Sequence, residues 1–412
     1  MITAANHEDS DEKIVLPGGL SMAVPSRILI KNAELIGAPG LESTGWILID
    51  GKVIKALGSG LPPLFPEGSA DQVLDATGLY ALPGFIDAHV HGAVNQDVMD
   101  GSAEGLRTMA RFFVSRGVTA FLPTTLTAGV EKLQAALSNI RRVMDGPPCG
   151  AAVLGAHLEG PYLNVARCGA QAPGLIRRAL QAEAQPLLES GIVRLLALAP
   201  EFPENLWLID ECVRRGITVA AGHTAATYEE MQTGAAHGLS QVTHCFNAMG
   251  GLNHRQPGTV GAALAMDSIR CELIADNIHV HPAVQRILAK VKGPERILLI
   301  TDAVRGAGMP EGEYEFDGRP ALIRAGAVRL PDGTLAGSVL TMDKALQNFV
   351  RASGEPLAKI WKVSSLTPAQ ALGVADRKGS LEAGKDADIV LLDMDLKVKA
   401  TIAEGRLEFT EL

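Results

Sequence analysis

Eight short apolar runs follow one another through the middle of the chain, and helical patterns lie between most of them. The runs are residues 84–91, 119–125, 152–161, 193–201, 218–224, 241–247, 271–279 and 296–303. The helical patterns at 104–117, 129–146 and 205–216 each close on glycine, a common helix end. Strands that alternate with helices form parallel sheets, and eight such units close into a (β/α)8 TIM-type barrel. We therefore predict an α/β protein built around this barrel.

The two ends of the chain carry a different pattern. Residues 27–82 and 374–412 consist of short apolar or alternating runs that Gly, Pro and Asp turns separate. We expect these two segments to form one small β-sandwich domain built from both chain ends, and residues 83–373 to form the barrel. Residues 1–26 are polar and acidic, so we expect a solvated N-terminal tail.

Composition excludes several classes of partner. The net charge of −9 argues against nucleic acid or an anionic membrane surface as the main partner. The N-terminus has no apolar signal core, and no apolar run is long enough to span a bilayer. The 5 cysteines contain no CxxC pair, which indicates neither a disulfide framework nor a cysteine zinc site. We therefore expect a cytoplasmic protein with no membrane or nucleic-acid partner.

Metal-binding and acidic side chains stand where five of the eight runs end. These residues are His89 and His91 on the first run, Glu159 on the third, His223 on the fifth, His244 on the sixth and Asp302 on the eighth. The carboxyl ends of barrel strands share one face, where chemistry collects. The first two histidines are two residues apart, so they point to the same side of their strand. Such a pair alone could be two buried structural histidines, but six polar residues on one rim favour a functional site.

The residue types indicate the chemistry of that site. Several imidazoles and a carboxylate suit a divalent transition ion. Such an ion lowers the pKa of bound water towards about 7 and polarises a carbonyl oxygen. An aspartate beside that water can accept its proton and later deliver it to a leaving amine. Together these parts describe the hydrolysis of an amide-like bond.

Six motifs then identify a family. In order they are PGFIDAHVHG, HLEGPYLN, GHTAAT, THCFNAM, ADNIHVHP and LITDA. Together they resemble the N-acetylglucosamine-6-phosphate deacetylases of the amidohydrolase superfamily, from about residue 27 to the end of the chain. The resemblance implies a metal-dependent barrel with a small β-sandwich and a 6-phosphorylated N-acetylamino sugar as substrate. Many two-metal amidohydrolases bridge their metals with a carboxylated lysine, but this chain has no lysine between Lys132 and Lys290. Glu159 is the available replacement.

The resemblance also implies a role for each polar residue on the rim. Glu159, His223 and His244 match the ligands of the main metal. His89 and His91 match a second-metal pair that only some family members keep, so one or two ions per chain are expected. Zinc is the first candidate, with iron, manganese and cobalt as alternatives. Asp302 matches the catalytic acid and base, which takes the proton from the attacking water.

Further positions match residues that hold the phosphosugar. Asn247 and Ala248 match residues that contact the sugar, and His279 matches a histidine near the phosphate. Arg255 matches a phosphate-binding arginine that reaches the active site of the neighbouring subunit, which implies a homodimer. Leu335, Ala336 and Gly337 belong to a segment that matches a loop closing over the sugar. Gln171 stands where some members have a histidine, and it can donate a hydrogen bond to a carbonyl but cannot become cationic.

These observations favour hydrolysis of N-acetyl-D-glucosamine 6-phosphate to glucosamine 6-phosphate and acetate, in amino-sugar catabolism. The alternatives are a deacetylase of another N-acetylhexosamine 6-phosphate, such as the galactosamine type, or a related metal-dependent amidohydrolase such as a deaminase or D-aminoacylase. A phosphate-binding Arg255 beside a glycine-rich turn argues against a deaminase and against a D-aminoacylase. A catalytically inactive barrel with a structural role would lack a ligand or Asp302, and neither is missing.

Overall fold

The computed structural model describes residues 27–41, 43–63 and 70–412. The predicted tail, residues 1–26, lies outside the described residues. The strands are β1 Arg27–Leu35, β2 Thr44–Asp50, β3 Val53–Ser59, β4 Gln72–Asp75, β5 Tyr80–Pro83, β6 Phe85–Val90, β7 Gly92–Ala93, β8 Gln96–Asp97, β9 Val118–Thr125, β10 Ala152–Val153, β11 Ala156–Glu159, β12 Val193–Leu198, β13 Thr218–Ala221, β14 Gln241–Val242, β15 Arg270–Ile274, β16 Ile297–Ile300, β17 Gly312–Phe316, β18 Arg319–Arg324, β19 Ala327–Arg329, β20 Leu335–Ser338, β21 Ile389–Leu392, β22 Val398–Ala403 and β23 Arg406–Thr410. The helices are α1 Ala103–Val114, α2 Val130–Met144, α3 Gln181–Glu189, α4 Pro203–Arg214, α5 Tyr228–Ala236, α6 Gly258–Ala265, α7 Pro282–Lys292, α8 Met342–Ser353, α9 Leu357–Ile360 and α10 Leu366–Ala371.

Eight parallel strands form the barrel, in the order β6, β9, β11, β12, β13, β14, β15 and β16. Strands β6 and β9 are buried along their whole length, as expected for parallel strands covered on both faces. The last strand meets the first at a narrow seam, where a parallel bridge joins Val90 to Ala303. At the same seam the Asp302 backbone N–H donates to the His89 carbonyl oxygen at 2.9 Å. The seam therefore places the ends of the first and eighth strands side by side.

A second sheet contains strands from both ends of the described chain. Its order is β23, β22, β21, β5, β1, β2 and β3, with β4 paired to β1. The sheet curls on itself, because Val53 of β3 forms an antiparallel bridge with Asp386, just before β21. Isoleucines from both ends, among them Ile28 and Ile389, share one apolar cluster inside the curl. The predicted fold class, a barrel with a small β domain from both chain ends, is confirmed, while the exact domain limits stay a prediction.

A four-stranded antiparallel sheet, β17 to β20, is inserted between the eighth barrel strand and helix α8. Its apolar face, which includes Phe316 and Ala336, packs against Leu126 and Val304 at the mouth of the barrel. This sheet was not expected from the sequence. Residues 335–338 form strand β20 of this sheet, so the expectation of a loop at this position was wrong.

No helix among residues 27–41, 43–63 and 70–412 combines the length and the apolar character that crossing a bilayer requires.

Candidate metal centre

The six predicted rim residues meet at the carboxyl end of the barrel. Three of them, His223, His244 and Asp302, lie two residues after the ends of barrel strands and have positive φ angles of 47°, 29° and 48°. Left-handed backbone is uncommon for residues other than glycine and often marks functional sites. Here it turns each strand end sharply, so that the side chain aims across the barrel mouth instead of continuing the alternation of the strand.

The first ligand group consists of Glu159, His223 and His244, and we call it the main position. Nε2 of His244 lies 3.0 Å from Oε1 of Glu159, and Nε2 of His223 lies 3.2 Å from the same oxygen. The two Nε2 atoms are 3.1 Å apart. All three side chains are buried, and their ligand atoms lie within 4.8 Å of one another. This spacing fits a single ion.

The second ligand group consists of His89, His91 and Glu159, and we call it the first-strand position. Nε2 of His91 lies 3.3 Å from Oε2 of Glu159, and the Nε2 atoms of the two histidines are 3.2 Å apart. These ligand atoms also lie within 4.8 Å of one another. Glu159 belongs to both groups and offers one oxygen mainly to each. The geometry therefore suits two ions with the glutamate between them.

Hydrogen bonds at Nδ1 orient three of the four imidazoles. Nδ1 of His91 donates to the Thr124 carbonyl oxygen at 3.2 Å, and Nδ1 of His223 donates to the Arg167 carbonyl oxygen at 3.0 Å. Nδ1 of His89 donates to the Glu272 carboxylate at 3.1 Å. Because Nδ1 is the donor in each case, the neutral form of each ring has its lone pair on Nε2, which faces the centre as a metal ligand requires. Nδ1 of His244 is buried and has no hydrogen-bond partner in the described part of the chain.

The carboxylates and the imidazoles at the centre stabilise each other's charged forms. Burial alone would raise the pKa of Glu159, but the neighbouring imidazoles, His89 above all, hold that pKa well below its usual range. Burial alone would lower the pKa of His89, but Glu159 and Asp302 raise it to about 9. The pKa of His91 is raised for the same reason, since its hydrogen bonds to the two carboxylates outweigh burial. The centre therefore favours positive charge, which a divalent ion supplies.

Asp302 stands against the first-strand position. Its Oδ1 lies 3.3 Å from Nε2 of His91 and 3.4 Å from Nε2 of His89. Burial would raise the pKa of this carboxyl, but the two imidazoles outweigh burial and lower the pKa below its usual value, which favours the ionised form. Its backbone oxygen accepts from Ser338 N–H at 2.8 Å in strand β20. Gly337 is required there, because a Cβ on it would lie 2.8 Å from the Asp302 oxygen.

A cavity of about 220 Å³ opens above the two positions. The residues that line it are His91, Leu126, Glu159, Gly169, Ala170, Gln171, His223, His244, Asn247, Ala248, His279, Asp302, Phe316, Thr334, Leu335 and Gly337. The predicted sugar-contacting residues Asn247, Ala248, His279, Leu335 and Gly337 are thus brought together with the ligand groups, while their roles stay predictions. Ala336 is not brought to the cavity, because its side chain is buried in the apolar cluster under the inserted sheet.

Gln171 lies at the cavity but is committed to the protein at both ends of its side chain. Its Oε1 accepts from the Thr127 backbone N–H at 2.8 Å, and its Nε2 donates to Oε2 of Glu159 at 2.5 Å. The backbone donor fixes which end is the oxygen. The residue therefore orients the shared glutamate, and the expected hydrogen bond to a substrate carbonyl would require breaking this contact.

Arg255 is exposed and does not line the cavity of its own chain. It lies in the loop before helix α6, where its backbone N–H donates to the Asn253 side chain at 2.9 Å. This position agrees with a side chain that acts outside its own subunit, which stays a prediction.

A sequence profile of the amidohydrolase family matches residues 80–408, a span that contains the whole barrel and both ligand groups. The chain belongs to the amidohydrolase family.

Three similar proteins narrow the resemblance within the amidohydrolases. An N-acetylglucosamine-6-phosphate deacetylase of Vibrio furnissii is 40% identical over 330 residues, which cover 80% of this chain and 82% of that protein. An N-acetylgalactosamine-6-phosphate deacetylase of Escherichia coli O157:H7 is 41% identical over 328 residues, which cover 79% and 86%. The structure of a mutant N-acetyl-D-glucosamine-6-phosphate deacetylase from Mycobacterium smegmatis, in complex with N-acetyl-D-glucosamine-6-phosphate, superposes with a TM-score of 0.86 at 32% identity and covers 94% of this chain and 100% of that chain. The resemblance stated from the six motifs is confirmed.

The sequence interpretation missed several residues that support the centre of this amidohydrolase. Glu272 is fully buried behind His89, and Asp276 holds Nδ1 of His279 at 2.6 Å. The only signal for Glu272 is an acidic residue inside an apolar strand, since buried carboxylates are rare unless they are paired. Asp276 had no signal beyond its place three residues before His279.

Proposed function

We propose that this amidohydrolase removes the acetyl group of N-acetyl-D-glucosamine 6-phosphate, giving glucosamine 6-phosphate and acetate, in amino-sugar catabolism. The observation that carries the proposal is the position of Asp302, a carboxylate that lines the cavity and lies 3.3 Å from an imidazole of the two ligand groups. A relative that is 40% identical over 80% of this chain bears the name of this deacetylase.

Glu159, His223 and His244 would hold one divalent ion, and His89 and His91 would hold a second together with Glu159. The mixture of imidazole and carboxylate ligands suits zinc first, and iron, manganese or cobalt as alternatives. When bound, such an ion makes water nucleophilic at neutral pH and polarises the acetyl carbonyl. Glu159 would be the one carboxylate available to both ions, since it belongs to both ligand groups.

Asp302 moves the proton. It accepts a proton from the water that attacks the acetyl carbon, and it then donates that proton to the sugar nitrogen as the carbon–nitrogen bond breaks. The nitrogen needs this proton because an amine leaves poorly as an anion. The lowered pKa of Asp302 keeps it ionised before the attack, as the first half of this task requires.

The walls of the cavity would hold the sugar. Asn247 and Ala248, which follow His244 closely in the chain, line the cavity together with Leu335 and Gly337 of the inserted sheet. The side chain of His279 is fixed by Asp276, whose carboxylate accepts from Nδ1 at 2.6 Å, so that Nε2 faces outward from this pair. Such pre-oriented groups limit the poses in which the acetyl carbonyl can reach the centre.

The phosphate group requires a cation that this cavity does not contain. Among the residues of the described chain that line it there is neither lysine nor arginine. Arg255 is exposed at the rim of the same molecule, and a planar guanidinium is suited to bidentate phosphate binding. We therefore propose a homodimer in which Arg255 of one subunit completes the site of the other.

We also propose a cytoplasmic location, because the 5 cysteines of the chain are all free thiols.

A second candidate is deacetylation of N-acetylgalactosamine 6-phosphate. A relative bearing that name is 41% identical to this chain, as close as the glucosamine-type relatives. The two substrates differ in the orientation of one hydroxyl group, which the walls of the cavity would have to distinguish.

The decisive experiment measures acetate release from a panel of sugars after loading with zinc. The panel contains the 6-phosphates of N-acetylglucosamine, N-acetylgalactosamine and N-acetylmannosamine, with unphosphorylated N-acetylglucosamine as the control. We expect the glucosamine 6-phosphate to give the highest kcat/KM and the unphosphorylated sugar to react poorly. Faster turnover of the galactosamine compound would favour the second candidate, and no acetate from any member would refute the proposal.

A further inference from the structure

Glu272 is a carboxylate that the proposed reaction does not use. It lies on β15 and is fully buried inside the barrel. Its Oε1 accepts from Nε2 of Gln241 at 2.6 Å. Its Oε2 accepts from Nδ1 of His89 at 3.1 Å and from the His244 backbone N–H at 3.2 Å. The Glu272 side chain therefore accepts hydrogen bonds from two ligand residues of the metal centre, His89 and His244, and from Gln241 on the adjacent strand β14.

The charge of Glu272 needs a partner. A carboxylate removed from water is unfavourable unless it is paired and hydrogen-bonded. The Gln241 amide and the His244 backbone N–H are neutral, so His89 is the one partner through which positive charge can reach Glu272. The proton on Nδ1 of His89 leaves the lone pair on Nε2, which faces His91 at 3.2 Å and Glu159 at 3.6 Å. A cation bound at that lone pair compensates Glu272 through the imidazole ring.

Glu272 also distinguishes the two positions from each other. Behind His91 and His223 stand backbone carbonyl oxygens, which are neutral. Behind His89 stands a full negative charge, which makes the imidazole a stronger electron donor than a carbonyl partner does. The first-strand position is therefore the one that has an anionic support behind one of its ligands.

We propose that Glu272 is a positioning residue that makes the first-strand position a metal site in its own right. It holds His89 in the tautomer with a free Nε2 lone pair, and it supplies the charge that balances a second divalent ion. The inference rests on the metal centre of the proposed function but not on the identity of the substrate.

The substitution Glu272→Gln tests this role with little change in volume. The amide oxygen can still accept from Nδ1 of His89 and the His244 N–H. Its NH₂ group then faces Gln241, whose amide can turn to present Oε1, an atom with no other hydrogen-bond partner among the described residues. The variant therefore keeps the tautomer of His89 and removes the negative charge that supports this ring. Outer partners of this type change metal affinity by about 10- to 100-fold. We expect this loss at the first-strand position alone.

The measurement is a zinc titration of the metal-free full-length protein against a chromogenic chelator, which gives a dissociation constant for each ion. Wild type should bind two ions. Glu272→Gln should bind one ion with unchanged affinity and the second about 10- to 100-fold more weakly. The matched control is Glu201→Gln, because Glu201 is a carboxylate near the same rim that contacts Asn164, Thr224 and Ala225 but none of the four imidazoles. The control should bind both ions as wild type does.

Three results would overturn the inference. These are wild-type affinity for both ions in Glu272→Gln, an equal loss at both positions, or the same loss in the Glu201→Gln control. An equal loss would identify general structural damage, which the two separate constants detect within one protein. Binding of only one ion by wild type would also overturn it, yet acetate release by that protein would leave the proposed function standing. If wild type bound two ions but released no acetate, the proposed function would be refuted and the inference about Glu272 would stand.

Discussion

Replacing Asp302 by asparagine separates proton transfer from metal binding at this centre. Asparagine keeps the size and shape of the side chain, but its amide cannot accept a proton in the relevant pH range. In the structure Oδ1 of Asp302 lies 3.3 and 3.4 Å from the Nε2 atoms of His91 and His89, so this carboxylate borders the first-strand position. Loss of a positioned acid and base lowers rates by about 10²–10⁴-fold.

This range corresponds to about 2.7–5.4 kcal/mol of transition-state stabilisation, at about 1.36 kcal/mol for each tenfold change. We therefore expect Asp302→Asn to lower kcat for acetate release at least a hundredfold. The Asp302 carboxylate completes neither ligand group, since each group already has three protein ligands without it. Bound zinc and the dissociation constant of the substrate should consequently change little.

The assay compares three quantities in wild type and variant: kcat from acetate release at saturating substrate, zinc per chain from elemental analysis, and substrate affinity from calorimetry. Near-normal kcat in Asp302→Asn would refute the proton route. Loss of zinc as complete as in a glutamate-ligand variant would show that Asp302 is a structural ligand first. In both cases the assignment of Asp302 as the acid and base of the reaction would fall.

Three further predictions concern other parts of the molecule. Glu159→Gln should remove the anionic ligand of both positions, so bound zinc and kcat should fall together, and full zinc occupancy with normal activity would contradict the shared-ligand geometry. Arg255→Ala should raise KM for the phosphorylated sugar about 10- to 100-fold, since a bidentate contact contributes about 1.5–3 kcal/mol; equal turnover of phosphorylated and unphosphorylated sugar by wild type would defeat this role. Lys378→Met should lower the free energy of unfolding, measured in urea, by about 3–5 kcal/mol. The reason is that Nζ of this buried lysine lies 2.6 Å from the buried Asp388 carboxylate, which the substitution leaves without its cation. A loss below about 1 kcal/mol would show that Asp388 is not left uncompensated.

The barrel could be predicted from the sequence because burial on both faces leaves a simple mark. Parallel strands covered on two sides are continuous apolar runs, and each of the eight predicted runs overlaps one barrel strand. The inserted sheet was missed although it carries a local signal. Strands β17 and β18 alternate in burial and are joined at Asp317 and Gly318, a typical hairpin pair.

The ligand residues could be predicted because barrel geometry brings strand ends together whatever their separation in the chain. The groups that orient these ligands could not be predicted in the same way. Glu272 lies 183 residues from His89, and their contact depends on side chains that cross the interior of the barrel. Which atom of Thr124 or Arg167 meets an imidazole depends on the local backbone turn, which the residue type does not reveal.

Gln171 shows why this orienting layer matters for the reaction. From the sequence, this residue was expected to line the substrate site in place of a histidine, with a side chain that can donate a hydrogen bond to a carbonyl but cannot become cationic. In the structure its amide group is used at both ends, by the Thr127 backbone and by Oε2 of Glu159. One lone pair of that glutamate oxygen is therefore directed to Gln171, and the other remains for the first-strand position. If this contact persists when substrate binds, the acetyl oxygen has no neutral donor at this place, and its polarisation depends on the cations that Glu159 and His89 can hold. The support of His89 by Glu272 and the contact of Gln171 with Glu159 are then two parts of one requirement, because both keep ligand lone pairs directed at the place where the acetyl group must be activated.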